Sequence, residues 1–263
     1  MTGISISPID RIRLRKAAQD EGFGIDRGDV DGWMAFDSLN APASLRLVCG
    51  TEGFVTATNH RGVADDLATR WQIWSGAAPS GFVAFAVNDT TPLHHLVREM
   101  WRLAQALPIE PLREFEAQTC SMPRTTEVER TRIERVGQDI FRSALMKYWG
   151  GVCAVLGVSE PRLLRASHIK PWSECTTDAE RLDVYNGLLL AAHLDAAFDA
   201  FLISFSEDGS ILISAALNES DRKALGILPD LRLSKIAPAH LPQLAWHRQR
   251  LDSSPNSVQP QSA

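Results

Sequence analysis

Three prolines set among polar residues, Pro108, Pro111 and Pro123, divide this 263-residue chain into two stretches with different apolar patterns, and that division limits the fold more than any other feature. Each stretch exceeds about 100 residues, enough to bury a core of its own. Upstream, Ile9, Ile12, Leu14 and Ala17 in residues 8–20 take mixed helical spacing, with a glycine stop at Gly22. Three β-branched or aromatic runs follow at 32–39, 44–50 and 53–59, separated by turn residues, which predicts a meander or hairpin. Residues 63–71 are helical in pattern and 81–87 predict a buried strand. Residues 92–107, opened by Pro92, place Leu93, Leu96, Val97, Met100, Trp101, Leu103 and Leu107 at helical offsets. The expected product is an α+β protein with a small α+β domain at 1–107, a linker at 108–123 and a second domain at 124–252. The Ser-, Pro- and Gln-rich end, 253–263, predicts a disordered tail.

Composition excludes several classes. With 44% hydrophobic and 22% charged residues, 17 Gly and 14 Pro, the chain is neither collagen-like nor wholly disordered. It contains no apolar run of about 18 residues, and Met1 to Asp10 lacks the basic and apolar regions of a secretory signal. A cytoplasmic address, with no membrane partner, is the expectation. The cysteines, Cys49, Cys120, Cys153 and Cys175, form no Cys-x-x-Cys pair, which argues against a structural zinc ion and against a disulfide framework. A net charge of −5 speaks against a phosphate-rich partner, and residues 1–107 carry ten basic against twelve acidic side chains. Residues 124–172 reverse that balance with nine basic against five acidic, compatible with a basic face.

Residues 125–149 read as one long amphipathic helix, with Val128, Ile133, Val136, Ile140, Phe141, Leu145 and Tyr148 apolar and Gly150-Gly151 ending it. Downstream come short apolar runs and a hairpin turning on Glu207-Asp208-Gly209. Within them stand His168, Asn186, Asp195 and Asp199. If the segment after Asn186 is helical, Asp195 and Asp199, four residues apart, share one face and can share a hard divalent cation. His193 is offset from that face. His168, just before Pro171, has an ordinary pKa of about 6.5 and is mostly neutral above neutrality, as a general base must be. A base beside a metal points to hydrolysis. Taken singly, each residue has a plainer role: a structural histidine, an Asn N-cap, an Asp paired with an arginine, and helix arginines neutralised by Glu127, Glu129 and Glu134. Their joint occurrence favours chemistry.

The ordered pattern Arg135, Gly137, Gln138, Phe141 and Arg142, then Cys153 to Gly157, Ala166 to Trp172, Asn186 to Leu190 and His193 to Asp199 resembles the HNH endonucleases, in their restriction-type branch. The likeness runs from Arg124 to about Ser214. It implies a C-terminal HNH (ββα-metal) nuclease domain with a long leading helix. It implies His168 as the base that activates water, Asn186 as the residue ordering the loop that carries it, and Asp195 and Asp199 as metal ligands. Ser167 stands where relatives often place an acidic or histidine ligand. His193, Ser167, Lys170 and Arg165 flank the site as candidates for supporting or substrate contacts. Aspartate ligands favour Mg²⁺ or Mn²⁺ over Zn²⁺.

The expected activity is metal-dependent hydrolysis of DNA phosphodiesters, of restriction or defence type, leaving 5′-phosphate ends. The alternative is a DNA-binding or ligand-sensing regulatory protein in which the motif is silent. Symmetric cutting of both strands takes two active sites, which brings a homodimer into view. The N-terminal domain shows no nucleotide-binding loop, helix-turn-helix or zinc finger, so its ligand or DNA feature is left open.

Overall fold

A computed structural model describes residues 6–50, 53–123 and 125–251. The chain separates into two compact units, Met1–Leu107 and Pro108–Ala263. Among the described residues no helix is long and apolar enough to cross a membrane. The stretch 253–263, expected to be a disordered tail, lies outside the described residues.

The first unit is a five-stranded antiparallel meander with helices. Helix α1 (Pro8–Asp20) starts at Ser7, whose hydroxyl accepts from the Asp10 amide at 3.1 Å, with Pro8 in the first turn. Its buried stripe is Leu14, Ala17 and Ala18, while Ile9 and Ile12, expected on that stripe, are exposed. Strands β1 (Ile25–Val30), β2 (Trp33–Asp37), β3 (Ser44–Gly50), β4 (Gly53–Thr58) and β5 (Val83–Val87) pair in chain order. Helix α2 (Arg61–Leu67) lies between β4 and β5, and α3 (Thr90–Ala106) follows.

Strand β1 has no counterpart in the apolar pattern because it is an edge strand with polar, exposed side chains. Its carboxylates face α1 instead: Arg11 pairs with Asp29 at 2.7 Å and Arg15 with Asp26 at 3.1 Å. The turn into β2 is Asp31-Gly32, both with positive φ, as a two-residue hairpin of right-handed twist requires. One sheet face, with Met34, Phe36, Leu45, Leu47 and Phe85, meets the helices; Thr56 on that face reaches the Met100 sulfur at 3.5 Å. The other face buries Trp33, Val48, Val55, Ala57 and Ala84 beneath Trp74 and Phe82.

The second unit begins with a helix, not a linker. Helix α4 (Ile109–Thr119) buries Phe115 and Thr119 and packs on α5 (Glu127–Tyr148). Pro108 and Pro111 do not break it, because a helix's first turn has no use for its amide protons and tolerates proline. Thr126 and Glu129 close a capping box at the start of α5, and Gly150, at φ 70°, turns the chain at its end. Strand β6 (Leu164–His168) pairs antiparallel with β7 (Gly187–Ala191), with α6 (Asp178–Leu182) in the connection and α7 (Ala192–Asp199) directly after β7. This strand, strand, helix order matches the expectation. The hairpin of β8 (Ile203–Phe205) and β9 (Ile211–Ile213) follows, then α8 (Glu219–Ala224) and α9 (Leu241–Arg248). The whole chain is thus α+β, with the family-like segment in its C-terminal unit.

Candidate active site

Strand β6 positions the site. Side chains alternate along a strand, so Ser167 and His168 leave its two faces. Ser167 is buried and turns to α7, where its hydroxyl meets Asp199 Oδ1 at 3.4 Å and also supports the charge of Asp195. His168 turns to α5, where its ring stacks on Phe141 with centroids 3.8 Å apart and meets Trp172 edge-on. At the end of the strand both residues open onto one cleft of roughly 360 Å³, shared with Trp172, Asp199, Phe201 and His247.

The imidazole has a defined tautomer. Its Nε2 stands 2.8 Å from the Arg181 carbonyl, which can only accept, so Nε2 carries the proton and Nδ1 keeps the lone pair. Burial holds the His168 pKa down to about 4, against the opposing pull of that carbonyl. The ring is therefore neutral at physiological pH.

Two motif glycines make this packing feasible. At Gly187 a Cβ would come within 2.5 Å of Phe141 Cζ, and at Gly137 it would collide with the Trp172 ring. The rings that flank His168 therefore sit where only glycine admits them. Arg142 donates to the carbonyls of Leu164 and Pro161, both at 2.9 Å, bracing the start of β6. The Cys153 thiol sulfur accepts from the Leu156 and Ala191 amides and is buried in a turn.

Asn186 is fully buried and fastens the loop after His168 at several points. Its Oδ1 accepts from the Lys170 amide at 2.8 Å, and its Nδ2 donates to the Lys170 carbonyl at 3.1 Å and to the Glu180 carbonyl at 3.3 Å. Its own carbonyl accepts from Ile169 at 3.0 Å. The plainer expectation, that Asn186 caps a helix, does not hold: it closes a short 3₁₀ turn, Val184–Asn186, and leads into β7.

Asp195 and Asp199 both fall on α7, one turn apart. Neither has an ion-pair partner among the described residues. Burial raises the pKa of Asp195, opposed by Ser167 and by the charge of Arg165. Burial and the like charge of Asp195 together push Asp199 up to about 6. Two partly desolvated carboxylates on one helix, both supported by the Ser167 hydroxyl and with the charge of Asp195 opposing ionisation of Asp199, suit a hard oxygen-binding cation. Among the described residues no group of three His, Cys, Asp or Glu side chains is arranged to hold a metal.

The flanking candidates divide. Arg165 shares the strand face of Ser167, is exposed, and donates to the Arg162 carbonyl at 3.0 Å. Lys170, a candidate supporting or substrate contact, is held by Glu180 at 2.7 Å in a half-buried ion pair, because the turn after His168 folds back on α6. His193 lies on α7 two residues from Asp195 and so projects away from the carboxylate face. His247 of α9 and Phe201 escaped the sequence reading. They lie beyond the recognisable pattern or read as ordinary core residues within it.

No curated protein matches the chain. Residues 153–206 match the family model described as HNH endonuclease, a span that contains β6, the loop pinned by Asn186, β7, α7 and β8. His168, Ser167 and Asp199, which share the cleft, all fall within the span that is similar to the HNH endonuclease family.

Proposed function

We propose that the chain is a metal-dependent DNA endonuclease that hydrolyses phosphodiester bonds in the cleft at the end of β6. The observation that carries this reading is the meeting, in one cleft, of a neutral imidazole of fixed tautomer with Asp199, a partly desolvated carboxylate that lies one helical turn from Asp195. His168 Nδ1 takes the proton of the attacking water. A pKa of about 4 makes it a weak base in the free protein, and a phosphodiester anion bound beside it raises its basicity when catalysis requires it. Asn186 and the Arg181 carbonyl hold the ring in place. Asp195, Asp199 and Ser167 hold the cation, Mg²⁺ or Mn²⁺. A divalent ion bound there would neutralise charge on the phosphate and on its departing oxygen. Expulsion of the 3′ oxygen leaves 5′-phosphate ends. A restriction or defence role, with the first unit reading a DNA feature or a ligand and a homodimer supplying two sites, fits this chemistry.

A second reading is a DNA-binding or sensing protein whose motif is silent. The small number of protein ligands around the carboxylate pair favours it. A plasmid-nicking assay in Mg²⁺ and Mn²⁺ separates the two. The nuclease nicks supercoiled DNA, and His168→Ala slows it by about 10²- to 10⁴-fold with DNA affinity retained. Binding without nicking supports the silent motif, and a fully active His168→Ala protein removes His168 as the base.

A further inference from the structure

Among the described residues, four helices close with the same pair of hydrogen bonds, in which two successive amides past the helix return to carbonyls five and three residues back. Helix α1 does so through Phe23 and Gly22, α5 through Gly151 and Gly150, and α8 through Ile227 and Gly226. In each, the turning residue is a glycine with positive φ: 96° at Gly22, 70° at Gly150 and 66° at Gly226. Helix α7 closes identically, Leu202 on Ala197 at 2.9 Å and Phe201 on Phe198 at 2.8 Å, but its turning residue is Phe201, at φ 55°. A side chain in this left-handed conformation is strained, and glycine is the ordinary solution.

The strained ring faces the active cleft, which it lines together with His168 and Asp199. It is also backed. The His247 ring lies 4.8 Å from it, fixed by Nε2 donating to the Phe198 carbonyl at 3.1 Å and by Nδ1 accepting from the Ser204 hydroxyl at 3.0 Å. Trp246 lies 6.4 Å from Phe201, and the Arg250 guanidinium stacks 3.5 Å above the Trp246 ring. Phe201, Trp246 and Arg250 are all half-exposed. The result is an aromatic surface ending in a cation, continuous with the cleft. That combination suits a single nucleic-acid strand, whose bases stack on rings and whose phosphates pair with arginine.

We propose that Phe201, continued by Trp246 and Arg250, takes an unstacked nucleobase next to the scissile phosphate, so that the enzyme prefers single-stranded or locally unpaired DNA. The proposal rests on the nuclease reading, because it is the phosphodiester in the cleft that brings a strand past Phe201. In an intact duplex the base is held in its stack and reaches the ring only at the cost of unpairing.

The test uses the full chain with fluorescein-labelled oligonucleotides of one sequence, either fully paired or with an unpaired stretch, binding measured in EDTA and cleavage in Mg²⁺ or Mn²⁺. Phe201→Gly relieves the backbone, so the fold is retained and the melting temperature is equal or higher. Its Kd and KM for the unpaired substrate rise about tenfold or more, the loss of one base–ring stack, with kcat little changed. Phe201→Tyr, which keeps a ring, restores wild-type values. A 2-aminopurine placed beside the cut site is quenched on binding by wild type and not by Phe201→Gly. If Phe201→Gly binds and cuts the unpaired substrate like wild type, the stacking surface is overturned and the nuclease reading stands. If wild type cuts neither substrate in either ion, the nuclease reading is overturned, and the binding and quenching data alone decide the stacking surface.

Discussion

Replacing Asn186 with alanine strikes the loop that carries the candidate base. The amide side chain is fully buried and fastens Lys170 by its amide and its carbonyl, at 2.8 Å and 3.1 Å, with a weaker bond to the Glu180 carbonyl at 3.3 Å. Alanine removes these bonds, worth about 1 kcal/mol each net, and strands the Lys170 amide beside a gap that costs about 1–3 kcal/mol more. The expected loss is about 4–6 kcal/mol. For a unit of this size, at about 2–4 °C per kcal/mol, that lowers the melting temperature by about 8–24 °C. The same loop supplies the Arg181 carbonyl that holds His168 Nε2, so a slack loop releases the ring from its tautomer. Cleavage should therefore fall through kcat more than through KM, even at temperatures where Asn186→Ala is folded. Asn186→Asp keeps the acceptor for the Lys170 amide but loses both donors, and should lie between wild type and alanine. Circular dichroism melts and single-turnover cleavage measure the two effects. An Asn186→Ala protein melting within about 1 °C of wild type would refute the claim that this side chain organises the loop.

Three further outcomes are expected. Gly187→Ala places a Cβ against Phe141 and Leu145, so it should cost about 1–3 kcal/mol by overpacking and shift the ring stacked on His168; unchanged urea unfolding would show that the close approach is unimportant. His168 and His247, both held down to about 4 by burial, should titrate near pH 4 by NMR and not near 6.5. Because the unfolded chain binds those protons first, the two rings cost stability as pH falls from 6.5 to 4. Asp183, raised to about 6 by burial, and Asp199 in the absence of a cation act with the opposite sign between 3.8 and 6, so the net slope in that window is shallow. Finally, EDTA should abolish cleavage, with Mn²⁺ restoring it. Asp199→Asn should weaken Mn²⁺ binding by more than the about 10- to 100-fold typical of losing an outer partner, and calorimetry showing wild-type affinity would remove Asp199 from the ligand set.

Local pattern determined much of this molecule. Helical spacing and caps located α1, α3 and α5, and β-branched runs located β2 to β5, because those elements bury apolar side chains of their own. The i, i+4 spacing by itself places Asp195 and Asp199 on one face of α7. The polar edge strand β1 was invisible because a sheet edge buries almost nothing. Helix α4 was masked by prolines that open a helix as readily as they end one. What only the tertiary structure decided is the surroundings of the candidate site: Phe141 and Trp172 flanking His168, the Arg181 carbonyl choosing its tautomer, Glu180 claiming Lys170, and α9 delivering His247 to the cleft. Spacing along a chain reports which side chains share a face. Proton affinity and reach depend on burial and on partners distant in sequence, such as the Phe198 carbonyl 49 residues from His247, and those exist only once the chain has closed.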